Sequence, residues 1–276
     1  MVTNLYFKIN LNKTLYKEMS YLFHGKTTEG YVFKIITEVL LLNLKTCCLT
    51  ITEEGVFLNQ MDTQGRILFN IKLPAENFEV FKFNYSSVTN IGLNLAYLHK
   101  MLKTVKKKDK IEFFIKSDNE NNFGIKVTPN DNSRVTTSYI NIHNLQSIDI
   151  TFPEISTKST LISSSDFQKT MKEMNNIGNL LEISKTMHTI SFKCITNGIF
   201  SKEIEFGNIN DNDGDNEVLY CDTFNTETFY KLMKLSGVCK NIHIFAKKGE
   251  PLMLTNKLGD IGDLSILIKS NKMLEG

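Results

Sequence analysis

The chain has 276 residues, 41% hydrophobic and 22% charged, with 32 Lys and Arg against 30 Asp and Glu for a net charge of +2. That length exceeds one ordinary domain and suits two, each able to bury its own core. Near-neutrality excludes a histone-like polycation and an acidic solvating tail.

All the basic residues except Arg66 and Arg134 are lysine. Such a bias accompanies AT-rich genomes, and it argues against an enzyme that clamps carboxylates or phosphates bidentately, work that favours the arginine fork. Residues 1–20 lack a basic stretch followed by an apolar core, and no apolar run reaches the length needed to span a bilayer. A soluble, intracellular chain is therefore expected. The five cysteines (Cys47, Cys48, Cys194, Cys221, Cys239) are odd in number, irregularly spaced and mostly within apolar, strand-like runs. That pattern points to buried thiols, with little support for a disulfide framework or a zinc site.

Along the chain, alternation predicts strands at Cys48–Leu58, Ile67–Leu73, Ile111–Ile115, Phe123–Val127, Thr189–Ile195, Glu203–Phe206, Ile242–Phe245 and Ser265–Ile268. Helical periodicity occurs in four segments, roughly Gly30–Leu44, Leu95–Val105, Ser165–Ile177 and Thr226–Leu235. Cap residues precede the last three: Asn94, Ser164–Asp166, and Asn225 or Thr226.

The helices share a frame. Leu98-His99-Lys100-Met101-Leu102-Lys103, Phe167-Gln168-Lys169-Thr170-Met171-Lys172 and Phe229-Tyr230-Lys231-Leu232-Met233-Lys234 all read apolar, any, Lys, any, apolar, Lys. Val32-Phe33-Lys34-Ile35-Ile36-Thr37 has the same frame without the last lysine. The first lysines stand at 34, 100, 169 and 231, in steps of 66, 69 and 62 residues. This is a four-fold repeat, each unit one helix plus several strands. Apolar positions i and i+4 share one face, so the lysines at i+2 and i+5 share the opposite, solvent face. A lysine-rich solvent face is ordinary for one helix, but the same register in four suggests a common purpose. Acidic residues instead collect in turns and strand edges: Glu53-Glu54, Asp118 and Glu120, and Asp211 to Glu217. Lysine point charges without an Arg fork or neighbouring aromatic stacking positions suit sequence-blind contact with phosphates. They do not suit base readout or single-strand stacking.

Further residues resemble a known family. Gly55-Val56-Phe57-Leu58-Asn59-Gln60-Met61-Asp62 is similar to the "GVNLQSMD" stretch of proliferating cell nuclear antigen (PCNA), the eukaryotic DNA sliding clamp, and the likeness continues through Arg66–Phe83. Gly92-Leu93-Asn94-Leu95 resembles the entry to that family's second helix. Ile150-Thr151-Phe152-Pro153-Glu154 looks like its interdomain connector, and Asn176-Ile177-Gly178 like the end of its third helix. Pro251-Leu252-Met253-Leu254 and Asp260 to Leu264 look like its last two strands. The resemblance covers residues 22–276.

It implies an α+β DNA clamp fold: two similar domains of two βαβββ units each, with helices on one face of antiparallel sheets. The implied division is an extension at 1–20, domains at 21–141 and 158–276, and a connecting loop at 142–157. The implied function is a non-enzymatic DNA polymerase processivity factor, a homotrimeric ring around duplex DNA, with neither cofactor nor metal. DNA would face Lys34, Lys100, Lys103, Lys169, Lys172, Lys231 and Lys234, with Lys106 and Lys107 extending the second helix. Polymerase, clamp loader and repair enzymes would dock short hydrophobic peptides in a groove of Met61, Leu68, Ile150, Phe152, Pro153, Pro251, Leu267 and Ile268. Gly65-Arg66 and Lys269-Ser270 depart from the family pattern at its rim. Subunits would join through edge strands near Asn122–Thr128 and Ile199–Gly207: Phe123, Ile125, Lys126 and Val127 against Glu203, Ile204, Glu205 and Phe206. The lysine modified in eukaryotic clamps falls near Met187, so that regulation is not carried over. The implied location is the nucleus, or a viral replication site in a host cell.

Two alternatives keep the fold: a checkpoint-type subunit of a heterotrimer, and a clamp-fold viral transcription or assembly factor. Two other motifs are decoys. Gly25-Lys26-Thr27 ends like a P-loop, but Ser20 stands where its first Gly belongs. Asp211 to Glu217 resembles a calcium loop, but aligning Gly214 with the turn glycine puts Ile209 and Tyr220 at ligand positions.

Overall fold

The computed structural model describes residues 21–146, 150, 152–153, 158–196, 198–208 and 217–275. Four βαβββ units follow one another. The first is β1 (Tyr21–Thr27), α1 (Gly30–Asn43), β2 (Thr46–Thr52), β3 (Gly55–Met61) and β4 (Ile67–Pro74), with a further strand β5 (Val80–Phe83). The second is β6 (Thr89–Asn94), α2 (Leu95–Leu102), β7 (Lys110–Lys116), β8 (Asn119–Thr128) and β9 (Thr136–Asn141). The third is β10 (Thr160–Ser163), α3 (Ser164–Ile177), β11 (Leu180–Lys185), β12 (Thr189–Thr196) and β13 (Phe200–Gly207). The fourth is β14 (Tyr220–Asn225), α4 (Thr226–Tyr230), β15 (Asn241–Phe245), β16 (Leu252–Leu258) and β17 (Gly262–Ile268), closed by α5 (Asn271–Glu275).

The expected strand at Cys48–Leu58 is two strands, because Glu53-Glu54 makes a turn. Gly55 opens β3 at φ +150°, where a Cβ would lie 2.3 Å from the Leu73 carbonyl oxygen. Caps form as the spacing predicts: Asn94 accepts from the Ala96 and Tyr97 N–H groups, and Asn225 accepts from Glu227 N–H. At α3 the cap is Ser163, one residue before the expected Ser164.

Two helices end earlier than their periodicity predicts. The α2 helix stops at Leu102, not Val105, and Asp109 holds the following turn by accepting from Lys106 N–H at 2.9 Å. The fourth helix changes to a 3-10 turn, Met233–Gly237, after Tyr230. Phe229, Leu232 and Leu235 are all buried at a spacing of three, the 3-10 period, so Leu232 and Leu235 replace the expected Met233 as core contacts. In α2 and α3 the expected pairs Leu98/Leu102 and Phe167/Met171 do point inward.

The strands form three antiparallel sheets, ordered β5-β1-β7-β8-β9, β10-β15-β16-β17-β4-β3-β2-β6, and β13-β12-β11-β14. The eight-stranded sheet carries both halves of the chain, joined where β17 pairs with β4. Its inner face meets the helices in a core that includes Phe69, Ile71, Leu264, Ile266 and Ile268. Among the described residues no helix is long and apolar enough to cross a membrane.

Candidate nucleic-acid interface and docking groove

The helices lie in one layer. Helix α1 packs against α2 on one side and the 3-10 turn on the other, and α3 packs against that turn and α4. Lys100, Lys103, Lys169, Lys172 and Lys234 are exposed, while Lys34 and Lys231 are half-buried. Lys34, Lys103 and Lys234, from three different units, line one shallow depression of about 400 Å³. Lys231 lies apart, in an ion pair with Glu227 at 2.9 Å.

The lysine layer is less uniform than its sequence frame suggests. Glu38, one turn after Lys34, pairs with Lys234 at 2.7 Å and His99 at 3.6 Å, tying three units together. Burial works to raise the Glu38 pKa, but the hydrogen bond and charge of Lys234, aided by His99, hold it below the ordinary carboxylate value. Aromatic rings, expected to be absent, also stand beside the lysines. Lys100 Nζ lies 5.1 Å from the centroid of the exposed Tyr97 ring, and Lys34 and Lys107 lie 5.7 and 5.6 Å from that of Tyr31. These residues stand one to four positions from a frame lysine, a local signal that the apolar–lysine pattern masked.

On the opposite face of the eight-stranded sheet, Met61, Leu68, Leu267, Met253 and Phe245 stand directly opposite one another across β3, β4, β17, β16 and β15. Leu68, Leu267 and Met253 are buried there because the connector residues Ile150 and Phe152 pack over them. Asn59 donates from Nδ2 to the Ile150 carbonyl at 2.9 Å. The next row on this face is polar: Asn59, Asn70, Ser265, Thr255 and His243. Phe152, Pro153, Phe245 and Met253 form the apolar side of an open groove of about 600 Å³ beside that row.

Six of the expected groove residues thus come together, and two do not. Ile268 points into the main core, since alternation along β17 sends Leu267 outward and its neighbour inward. Pro251 is half-buried just before β16 and belongs neither to the outer apolar cluster nor to the groove lining. Met253 and Phe245 were missed, though period-2 alternation places both on the outer face. The rest of the connector, 147–149, 151 and 154–157, lies outside the described residues, as do the extension at 1–20 and the loop residues 209–216.

One expected interface strand is not an edge. Strand β8 is hydrogen-bonded to β7 on one side and β9 on the other. Phe123, Ile125 and Val127 are consequently buried within the chain, and Lys126 pairs with Glu112 at 2.9 Å instead of facing Glu203 or Glu205. The edge strand on that side of the sheet is β9. Strand β13, with Glu203, Ile204, Glu205 and Phe206, is an edge as expected. Apolar side chains stand exposed at both edges, Val135 and Tyr139 at β9 and Ile199 and Phe200 at β13.

Comparison with known proteins agrees with this architecture. A family profile described as "Proliferating cell nuclear antigen, N-terminal domain" matches residues 22–152. The chain is 24% identical to a probable DNA polymerase sliding clamp of Paramecium bursaria Chlorella virus 1, over 90% of this chain and 96% of that protein. It is 23% identical to a probable DNA polymerase sliding clamp of Acanthamoeba polyphaga mimivirus, over 78% of this chain and 47% of that longer protein. The crystal structure of proliferating cellular nuclear antigen from Entamoeba histolytica superimposes with a TM-score of 0.78 at 17% identity, covering 91% of this chain and 99% of that one.

Proposed function

We propose that this chain, a divergent member of the PCNA-type DNA sliding clamp family, acts as a processivity factor by closing into a homotrimeric ring around duplex DNA. The observation that carries this reading is the single layer of four helices, one from each unit, presenting lysines on one side. Point charges spread over a smooth helical wall hold phosphates without fixing register, so the ring slides while its topology retains it. Its role is then to hold DNA and partners, not to catalyse.

The seam inside the chain suggests how the ring closes. Strand β4 is the fourth strand of unit one and β17 the fourth strand of unit four. Their counterparts, β13 of unit three and β9 of unit two, are free edges. Pairing β9 of one copy with β13 of the next would repeat the internal seam and cover the exposed Tyr139 and Phe200. Such head-to-tail contacts close into rings. On the outer face, the groove under Phe152 and Pro153 is read as the docking site for short apolar peptides of replication and repair enzymes. The viral relatives favour a replication site within a host cell as the place of action.

Light scattering of the purified chain together with primer extension by a clamp-dependent polymerase tests this reading. The expected result is the mass of three chains and longer products when clamp and loader are present. A lone monomer that assembles only with different clamp-fold chains would transfer the reading to a heterotrimer, and absence of any polymerase stimulation would remove it.

A further inference from the structure

The first two units carry a tyrosine at the same point of the lysine frame, three residues before its first lysine: Tyr31 before Lys34 and Tyr97 before Lys100. Units three and four have Asp166 and Thr228 there. A spacing of three puts ring and lysine on one helical face, and Lys34 Nζ and Lys100 Nζ lie 5.7 and 5.1 Å from the two ring centroids. Tyr97 is 58% exposed, in a first turn held by its own N–H bond to the Asn94 cap at 3.2 Å. A large ring left in solvent on a capped turn, with a cation over it, is an ordered platform and not a core contact. Tyr31 is half-buried, with a second lysine, Lys107, 5.6 Å from its centroid. Lys34 Nζ also donates to the Val105 carbonyl at 3.4 Å. The two rings therefore stand at opposite ends of the α1–α2 pair, on the order of 10 Å apart along α2. The depression lined by Lys34 and Lys103 adjoins this surface, with Leu42 exposed in its lining and Glu38 paired with Lys234.

We propose that the helix wall of the first two units binds single-stranded DNA, with unpaired bases stacking on Tyr97 and Tyr31 while the adjoining lysines hold the backbone. A base in a duplex has both faces stacked on its neighbours, so these rings offer a duplex little. An unpaired base has a free π face, and stacking on an aromatic ring beside basic groups holds single strands without regard to sequence. Charge complementarity points the same way: Lys100 and Lys103 are exposed, and among the described residues neither forms a salt bridge. The wall thus separates two forms of DNA. Lysines from all four units meet any phosphate, whereas the tyrosines, in units one and two, meet unpaired bases. Single-strand binding goes beyond the processivity role and shares with it only the premise that this wall faces DNA.

The test is anisotropy of a labelled oligothymidylate, and of the same strand annealed to its complement, titrated with the full chain. Wild type is expected to bind both. Tyr97→Ala should lower affinity for the single strand about tenfold and leave that for the duplex within about twofold. Tyr97→Phe keeps the aromatic face and should hold the single strand nearly as wild type does. The chain has no Trp, so tyrosine emission can be read directly. Saturation with the oligothymidylate should quench it in wild type, and less in Tyr97→Ala. An unchanged single-strand affinity in Tyr97→Ala overturns the proposal. So does an equal loss for single strand and duplex, because the ring would then serve only to position Lys100. Binding of duplex without binding of single strand overturns it too but leaves the processivity role standing, whereas binding of neither form removes the shared premise. Failure of ring closure would appear separately, in the mass in solution.

Discussion

Leu68 and Leu267 stand directly opposite each other across the strand pair that joins the first half of the chain to the second. They are 199 positions apart (267 − 68), yet with Met253 they make a buried apolar cluster on the outer face, covered by Ile150 and Phe152. One contact thus holds the internal seam and supports the connector residue Phe152, which lines the proposed docking groove.

Stability and docking should therefore separate by residue. Leu267→Ala removes a buried side chain from a shallow site able to relax, so a loss near the low end for such changes, about 2 kcal/mol, is expected in chemical denaturation. Phe152→Ala acts from the half-buried connector and should leave stability within about 0.5 kcal/mol while weakening a labelled peptide with aliphatic and aromatic anchors about tenfold. Equal peptide affinity in Phe152→Ala and wild type would place docking elsewhere.

The lysine layer makes a second prediction. Charge reversal at Lys100, Lys103, Lys169 and Lys172, all exposed and without a salt bridge among the described residues, should abolish polymerase stimulation and leave the oligomer intact. Retained stimulation would mean that the helices do not line the DNA channel. Lys234→Glu is a poorer probe, because it also breaks the ion pair to Glu38.

Glu38 carries a pH dependence. Burial opposes its ionisation, but Lys234 and His99 hold its folded pKa below the unfolded value. Its stabilising contribution is therefore present above the ordinary carboxylate range and is lost as pH falls through the lower folded value. Glu38→Gln should cost about 0.5–1 kcal/mol at neutral pH, after allowance for solvent screening of Lys234. It should also flatten the decline in melting temperature on acidification. Parallel wild-type and variant curves through the acid range would refute the assignment.

The revised edge assignment predicts the assembly variant. Tyr139→Glu on β9 would face the carboxylate-bearing β13 of a neighbouring copy, with Glu203 and Glu205. Light scattering should then report single chains, with each chain's own melting little changed because Tyr139 is exposed. Charge reversal of Lys126, already paired within its own sheet with Glu112, should weaken the chain's fold rather than its assembly. Retained oligomerisation of Tyr139→Glu would point to a different contact.

Much of this was legible locally. The frame around Lys100, Lys169 and Lys231 located the helices, and alternation located about half of the strands, because both follow from which side chains a single element must bury. Errors arose where a neighbour in space decides. Val127 reads as an apolar edge residue, but the sequence does not reveal that β9 returns to cover it. Ile268 reads as groove-forming until the register with β4 and β16 shows which side of β17 is outer. Glu38 carries no signal of its role in the sequence, because its partners come from two other units.

Sequence by itself determined the four-fold repeat, the segregation of lysines to one helical face, and the family resemblance. These rest on periodicity and order along the chain, which one element at a time can carry. Only the tertiary structure decided which strands are edges and which lysines are paired. Hydrogen-bond partners across a sheet and charges across a seam belong to segments dozens to hundreds of residues apart, and their pairing is a property of packing, not of any one segment.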